Sequence, residues 1–169
     1  MERVGIGYDV HRLEAGRRLV LGGVELPFEL GLAGHSDADV LSHAIADALL
    51  GALGDGDIGQ HFPDRDERWR GVSSLTLLAE VARKVAAAGF RIAHIDSTLS
   101  AERPRIAKWV PVMRDRVAGA LGMAAAAVSI KATTGEGLGF VGRGEGMWAI
   151  AIALLSAAPE GPSRRSPAP

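Results

Sequence analysis

Residues 37–53 read DADVLSHAIADALLGAL, and this stretch decides the predicted fold class. Its large apolar side chains recur at every fourth position, at Leu41, Ile45, Leu49 and Leu53. That spacing predicts an amphipathic helix, and Ser36 with Asp39 forms a capping-box-like start for it near Asp37. Because strand patterns lie on both sides of this helix, the chain is predicted to combine strands and helices in one layered domain.

Two strand patterns precede the helix. Over residues 3–8, apolar side chains at the even positions alternate with Gly5 and Gly7, so one face of this strand allows another backbone to approach closely. Over residues 19–26, Gly22 and Gly23 separate two short apolar runs, which predicts a hairpin.

More elements follow the helix. A second helix is predicted over residues 74–88, and another within residues 103–121, where Pro104 and Pro111 each suit a first helical turn. Strands are predicted over residues 91–100, 128–132 and 147–155, and the unbroken apolar run of the last is typical of a strand buried on both faces.

These elements predict an α/β fold, with a single domain whose mixed β-sheet carries helices packed on one face. We place the domain at residues 1–156 and expect the Ala-, Pro-, Ser- and Arg-rich residues 157–169 to form a disordered tail.

The composition excludes several classes of function. The net charge of -1 gives no general attraction to nucleic acid or to an anionic membrane. No apolar run reaches the ~18 residues of a membrane span, and the strand pattern begins at Arg3, so we expect a cytoplasmic domain with no leader. The chain has no cysteine, so histidine and carboxylate side chains would have to hold any metal ion.

Asp9 and His11 are candidate metal ligands. They are two residues apart at the expected end of the first strand, so their side chains leave the strand on the same side. Such a pair also arises often by chance. A third ligand could be a carboxylate or one of the other histidines, which are His35, His43, His61 and His94.

Asp39, His43 and Asp47 form a polar stripe along the predicted helix, because they are spaced four residues apart. One interpretation is a solvated face with Asp39 as the helix cap. The other is a metal ligand, His43, oriented by a neighbouring carboxylate.

Glycine is the unusual component of the chain. It accounts for 22 of 169 residues, roughly twice the average usage of about 7%. Six glycines lie within residues 133–146, and three of these match a dinucleotide-binding fingerprint, at Gly137, Gly139 and Gly142. We reject that interpretation because a strand candidate follows them, and the expected acidic residue about 20 positions later is missing. Thr133, Thr134 and Glu136 suit either a phosphate bridged to Mg²⁺ or a solvated loop.

Together these segments resemble one known family. The ordered motifs are DVH (9–11), HSDADV (35–40), DIG (57–59), FPD (62–64), KATT (131–134), EGLGF (136–140) and GRGEG (142–146). They are similar to the 2-C-methyl-D-erythritol 2,4-cyclodiphosphate synthases of the non-mevalonate isoprenoid pathway, and the similarity extends over residues 3–155.

The resemblance implies a reaction and two metal sites. The substrate would be 4-diphosphocytidyl-2-C-methyl-D-erythritol 2-phosphate, which is closed into the cyclic diphosphate with release of CMP. Asp9, His11 and His43 would bind Zn²⁺, and Glu136 would bind Mg²⁺ or Mn²⁺. The i, i+4 spacing further suggests Asp47 as the carboxylate that orients His43.

The resemblance also assigns the groups around the substrate. His35 and Thr134 would stabilise the transition state, and both would contact the substrate, as would Asp9, His11 and Glu136. The other expected substrate contacts are Ser36, Asp57, Ile58, Gly59, Phe62, Pro63, Asp64, Arg65, Asp66, Ala101, Pro104, Arg105, Ile106, Ala107, Ala132, Thr133, Phe140 and Arg143. The two segments 100–107 and 132–134 would form the cytidine pocket.

Family members are homotrimers, with the zinc side of each active site in one subunit and the cytidine pocket in the next. Their central cavity can bind isoprenoid diphosphates, and Arg143 matches the basic residue at its mouth. Two other functions stay open: a zinc-dependent phosphohydrolase of a nucleotide-linked substrate, and a non-catalytic trimeric protein that binds a nucleotide.

Overall fold

A computed structural model describes residues 1–63 and 65–158 of the chain. Its strands are β1 (Glu2–Ala15), β2 (Leu19–Leu21), β3 (Val24–Leu26), β4 (Leu30–Leu32), β5 (Phe90–Ser100), β6 (Val128–Thr133) and β7 (Gly146–Ala157). Its α-helices are α1 (Val40–Leu53), α2 (Ile58–His61), α3 (Ser74–Ala87), α4 (Val110–Leu121) and α5 (Gly139–Gly142). Short 3₁₀ turns lie at Glu67–Trp69, Ala107–Trp109 and Ala125–Ala127. In the described part of the chain, no helix combines the length and apolarity needed to cross a membrane.

Five strands form one sheet in the order β4-β1-β7-β5-β6. β1 pairs antiparallel with β4 and β7, and β5 pairs antiparallel with β7 but parallel with β6. β2 and β3 form a separate antiparallel hairpin, as predicted. The parallel pair among antiparallel ones confirms the predicted mixed sheet.

α1 packs directly on the backbone of β1 because that strand presents glycines to the helix. A Cβ atom on Gly7 would lie 2.0 Å from the carbonyl oxygen of Ala44, and one on Gly5 would lie 2.1 Å from that of Ala48. Neither distance is compatible with a side chain. The close approach predicted at these two glycines is therefore confirmed.

The opposite face of the sheet is apolar and open in a single chain. Its exposed side chains are Val4, Ile6, Tyr8 and Val10 on β1, at 45% to 66% exposure, and Ile152 on β7. On β7 the buried side chains are the alternate ones, Met147, Ala149, Ala151, Ala153 and Leu155. The prediction that residues 147–155 are buried on both faces is thus wrong for one chain, since the helices cover only one face.

Asp39 fixes the start of α1. It is fully buried and is the N-cap, and Oδ1 accepts a hydrogen bond from the backbone N–H of Ser42. Its carboxylate also accepts from the backbone N–H groups of Gly22 and Gly23 in the hairpin. The helix therefore begins at Val40, later than predicted, and Asp39 does not lie on a solvated stripe.

Other boundaries also differ from the predicted ones. β1 extends to Ala15, because its far end pairs with β4. Pro104 lies in a turn, whereas Pro111 occupies the first turn of α4 as predicted. The short helices α2 and α5 were not predicted. β7 ends at Ala157, one residue beyond the predicted domain boundary, and residues 159–169 of the predicted tail lie outside the described residues.

Candidate active site

Three side chains from β1 and α1 form a candidate metal centre. Oδ2 of Asp9 lies 2.9 Å from Nε2 of His11 and 3.0 Å from Nδ1 of His43, and those two nitrogens are 3.2 Å apart. One possible ligand atom from each residue lies within 4.8 Å of the others, and this is the one such group among the described residues. Of the histidines considered for the third position, the fold therefore selects His43.

Both imidazole rings are held as metal ligation requires. Nδ1 of His11 lies 2.6 Å from the carbonyl oxygen of Ala33, and Nε2 of His43 lies 2.9 Å from Oγ of Ser74. A ring nitrogen that donates its proton to an oxygen leaves the other nitrogen with a free lone pair. In both rings the nitrogen that remains for a metal ion is the one beside Asp9. The cluster therefore offers two nitrogens and a carboxylate oxygen, a donor set that fits a catalytic Zn²⁺ with an open fourth position.

The charges in the cluster shift two pKa values. Burial acts to raise the pKa of Asp9, but hydrogen bonds to His11 and His43 and their charges outweigh it and hold that pKa well below its usual range. Burial acts to lower the pKa of His11, but Asp9 and the carbonyl of Ala33 outweigh it and raise that pKa. Asp9 is thus ionised at neutral pH, the form that binds a cation.

The prediction that Asp47 orients His43 is wrong. Oδ1 of Asp47 accepts a hydrogen bond of 2.7 Å from the backbone N–H of Ile58, where α2 begins. Nε2 of His43 faces Ser74 instead. Burial raises the pKa of Asp47, and its carboxylate connects α1 to α2. The sequence carried no signal for Ser74, which looks like an ordinary residue at a helix start.

The loop before α1 is held by the segment that leads into α3. The backbone N–H of Gly71 donates to the carbonyl of His35, and that of Asp37 donates to the carbonyl of Val72. Oγ of Ser36 lies 3.1 Å from Nε2 of His43. These contacts place the loop beside the metal cluster.

His35 and Ser36 line a cleft of about 490 Å³ that Arg17 and Arg70 also line. Nε2 of His35 is buried and has no hydrogen-bond partner within the described residues. A buried polar atom without a partner is costly, so this nitrogen is available to a bound ligand.

A larger cleft of about 820 Å³ lies where the parallel strands β5 and β6 end. The predicted cytidine-pocket residues that line it are Ala101, Pro104, Arg105, Ile106, Ala107, Ala132, Thr133 and Thr134. The carboxyl ends of adjacent parallel strands meet at one edge of a sheet, which brings these two distant segments together. Glu102 and Arg103, which lie inside the predicted segment 100–107, also line this cleft, and so do two residues for which no contact was predicted, Phe28 and Glu29.

The loop that follows β6 is held by two carboxylates. Oγ1 of Thr134 donates to Oε1 of Glu136 at 2.7 Å, and the backbone N–H of Gly135 donates to Oε2 of Glu102 at 3.0 Å. Glu136 has a φ of 51°, which is uncommon for a residue with a side chain. Its carboxylate is exposed and can accept a cation.

The predicted residues 57–66 divide between a cleft and local packing. Asp57, Gly59, Pro63 and Arg65 line a cleft of about 660 Å³. Asp64 lies outside the described residues.

Three other residues of this segment are engaged within the chain. The ring of Phe62 is 7% exposed and lies 4.9 Å from that of Trp69, and the partly buried side chain of Ile58 packs against the core. Asp66 caps a 3₁₀ turn and pairs with Arg68 at 2.6 Å.

Arg143 lines a smaller cleft of about 250 Å³, and its guanidinium donates to Glu145 at 2.8 and 3.0 Å. Phe140 is half-buried in α5, near Gly146.

The two predicted transition-state groups lie in different places. His35 lines the 490 Å³ cleft and Thr134 lines the 820 Å³ cleft, and these clefts share no lining residue. One chain therefore does not bring the two groups into a common cleft.

Comparisons with known proteins give consistent results. The model of the YgbB family matches residues 2–156. A bifunctional enzyme IspD/IspF of Anaeromyxobacter sp. is 63% identical over 152 residues, which make up 90% of this chain but 39% of that relative, so the chain spans about two-fifths of its length. A 2-C-methyl-D-erythritol 2,4-cyclodiphosphate synthase of Moorella thermoacetica is 58% identical over 90% of this chain and 94% of its own length. A solved structure of IspF from Plasmodium falciparum in complex with CDP covers 93% of this chain and 97% of its own, with 29% identity and a TM-score of 0.82.

Proposed function

The chain belongs to the YgbB family, and from that premise we propose that it converts 4-diphosphocytidyl-2-C-methyl-D-erythritol 2-phosphate to 2-C-methyl-D-erythritol 2,4-cyclodiphosphate and CMP. The observation that carries the proposal is the 58% identity to a synthase of that name over 94% of the synthase's length. The nucleotide product agrees with the CDP bound by the Plasmodium falciparum relative.

The reaction is an intramolecular phosphoryl transfer. An oxygen of the 2-phosphate forms a bond to the β-phosphorus, and the bond from that phosphorus to the bridging oxygen breaks, so the oxygen leaves with CMP. The nucleophile is already an anion, so a general base is not required. The work of the protein is to align two anionic groups that repel each other and to stabilise the charge that develops.

We assign Zn²⁺ to Asp9, His11 and His43, and Mg²⁺ or Mn²⁺ to Glu136. When bound, these ions supply positive charge that offsets the repulsion between the phosphates. The lowered pKa of Asp9 and the ring nitrogens facing it support the first site. The exposed carboxylate of Glu136, beside the hydroxyl of Thr134, supports the second.

His35 and Thr134 are the proposed transition-state stabilisers. Their hydrogen bonds would act on the non-bridging oxygens of the phosphorus that is attacked. The unpartnered Nε2 of His35 supports this role, because a ligand oxygen would satisfy a nitrogen that the protein leaves without a partner.

The proposed assembly is a homotrimer with each active site between two subunits. Two observations support it: His35 and Thr134 lie in separate clefts of one chain, and an apolar sheet face is exposed on β1 and β7. An apolar face of this kind marks a surface that another protein surface covers. Binding of an isoprenoid diphosphate near Arg143 in a central cavity stays a prediction.

The decisive experiment supplies the cytidyl substrate with Mg²⁺ to the zinc-loaded protein and follows the products by ³¹P NMR. We expect equal amounts of CMP and the cyclic diphosphate, and loss of both in the His43→Ala variant. Linear erythritol phosphates would indicate a phosphohydrolase instead. CDP binding without any turnover would indicate a nucleotide-binding protein, and either result would overturn the proposed cyclase.

A further inference from the structure

A serine outside the predicted site residues contacts the candidate metal centre. Ser74 is the first residue of α3, and its side chain is buried. Oγ of Ser74 lies 2.9 Å from Nε2 of His43 and forms a short hydrogen bond with Oδ1 of Asp37. The backbone N–H of Ser74 donates to the other oxygen of Asp37 at 3.0 Å. Asp37, Ser74 and His43 thus form a continuous chain of hydrogen bonds.

The chemistry of the three groups sets the direction of that chain. An ionised carboxylate only accepts hydrogen bonds, so the hydroxyl of Ser74 donates a hydrogen bond to Asp37. The oxygen of the same hydroxyl then accepts a hydrogen bond from the N–H group at Nε2 of His43. Nδ1 of His43, 3.0 Å from Oδ2 of Asp9, is then the nitrogen that a metal ion would bind in place of a proton.

We propose that Asp37 and Ser74 are positioning residues that hold His43 in its Nε2-protonated tautomer and so present Nδ1 to the metal ion. This inference rests on the proposal that Asp9, His11 and His43 bind a metal ion, but it does not depend on the reaction that the chain catalyses. Partners of this kind raise the basicity of a ligating imidazole, and their loss typically lowers metal affinity by about 10- to 100-fold.

Ser36 is the competing partner of the same ring nitrogen, since its Oγ lies 3.1 Å away. That oxygen already accepts a hydrogen bond of 3.2 Å from the backbone N–H of Ala38. In the described part of the chain, its hydroxyl is not polarised by a carboxylate as that of Ser74 is. A hydroxyl that donates to a carboxylate becomes a stronger acceptor, so the main role falls to Ser74.

The first test measures the Zn²⁺ affinity of the metal-free protein by competition with a chelator. We expect Ser74→Ala to lower the affinity by about 10- to 100-fold, and Asp37→Asn, which keeps an acceptor oxygen but loses the charge, to lower it by a smaller factor. Ser74→Thr keeps the hydroxyl and is expected to retain most of the affinity. The matched control is Ser73→Ala, because Ser73 is the exposed neighbouring serine and makes no capping hydrogen bond through its side chain.

The second test reads the tautomer of His43 directly, by ¹⁵N NMR of the imidazole in the metal-free Asp9→Ala variant, in which the carboxylate that faces Nδ1 is removed. We expect protonation at Nε2 in Asp9→Ala and a mixture of tautomers when Ser74→Ala is added. A purely structural role for Ser74 would leave the tautomer unchanged.

The outcomes separate the two proposals. If the original chain binds no Zn²⁺, the metal assignment fails. If it binds Zn²⁺, and Ser74→Ala changes neither the Zn²⁺ affinity nor the tautomer of His43 in the Asp9→Ala background, only the positioning role fails. Should Ser74→Ala not fold, as judged by circular dichroism, Asp37→Asn is held to the same two criteria.

Discussion

If His11 binds Zn²⁺ as proposed, its imidazole makes that binding depend on pH. Asp9 and the carbonyl of Ala33 raise the pKa of this imidazole, so in the metal-free chain it keeps a proton to higher pH than a free histidine does. A metal ion has to displace that proton before it can bind Nε2. Protons and Zn²⁺ therefore compete for the same nitrogen.

We expect the affinity for Zn²⁺ to fall as the pH is lowered through the raised pKa of His11. The folding stability of the metal-free protein changes with pH in the opposite direction. The stability that protonated His11 contributes is fully present below its unfolded pKa of about 6.5 and is lost as the pH rises through the folded pKa. Chelator competition at a series of pH values measures the first effect, with exposed His94→Asn as a control that keeps the same profile. An affinity that does not change between pH 8 and pH 5.5 would contradict this account.

The positions of some site residues could be predicted from the sequence, and those of others could not. Asp9 and His11 are two apart on one strand, so their common direction follows from strand geometry. His43 could be chosen among four histidines only through the family resemblance, because helix packing decides which of them reaches β1. Ser74 lies 31 residues beyond His43, and at that separation no local rule predicts a contact.

At the scale of elements, the apolar period of residues 37–53 predicted α1 but not where it starts. Ser36 and Asp39 were both plausible caps, and the choice depended on the hairpin, whose two glycine N–H groups donate to Asp39. α5 is four residues long, too short for any periodic signal. The apolar periodicity of the sequence therefore predicted the long helices and strands, whereas the caps and the short helices depend on tertiary contacts.

Asp39→Ala is expected to destabilise the protein by about 3 kcal/mol, because it removes the cap of α1 and leaves buried donors of Gly22, Gly23 and Ser42 without an acceptor. Urea unfolding measures the change. Ser73→Ala at the N-cap of α3 serves as the control and is expected to change stability by less than about 0.5 kcal/mol, since the Ser73 side chain makes no capping hydrogen bond. Equal effects of the two variants would rule out the proposed role of Asp39.

For the whole molecule, the burial of the sheet face that the helices do not cover was not predicted correctly from the sequence. The unbroken apolar run of residues 147–155 was interpreted as burial on both faces within one chain. Apolar side chains that face a neighbouring copy look the same in sequence as those that face the chain's own core. In the structure, Ile6, Tyr8 and Ile152 are exposed in a single chain, which is consistent with the proposed contact between copies.

If the active site lies between subunits, two inactive variants will restore activity to each other. His43→Ala removes a ligand on the zinc side, and Thr134→Val removes a hydroxyl from the nucleotide side. In randomly mixed trimers, about a quarter of the sites would combine the intact half of each variant. Co-expression of the two chains, followed by measurement of CMP release, is expected to recover up to that fraction. No recovery above either variant alone would mean that each site belongs to one chain.

The glycines of β1 have a chemical consequence beyond packing. Two of the proposed metal ligands, Asp9 and His11, belong to the sheet and the third, His43, belongs to α1, so the spacing between helix and sheet would set the distances between these ligands. Zinc sites tolerate errors of only about 0.2 Å in ligand distance. A methyl group on Gly7 would force α1 outward by more than that, since it would lie 2.0 Å from the carbonyl oxygen of Ala44.

We therefore expect Gly7→Ala to abolish tight Zn²⁺ binding even under conditions in which the protein stays folded. Gly51→Ala is the matched control on the helix, because its Cβ would lie 3.6 Å from the nearest atom, an ordinary contact. Chelator competition together with urea unfolding checks both variants, and tight binding by Gly7→Ala would show that the layer spacing does not govern the site. On this view, the absence of a side chain at Gly7 sets the distance between the proposed metal ligands on β1 and the one on α1.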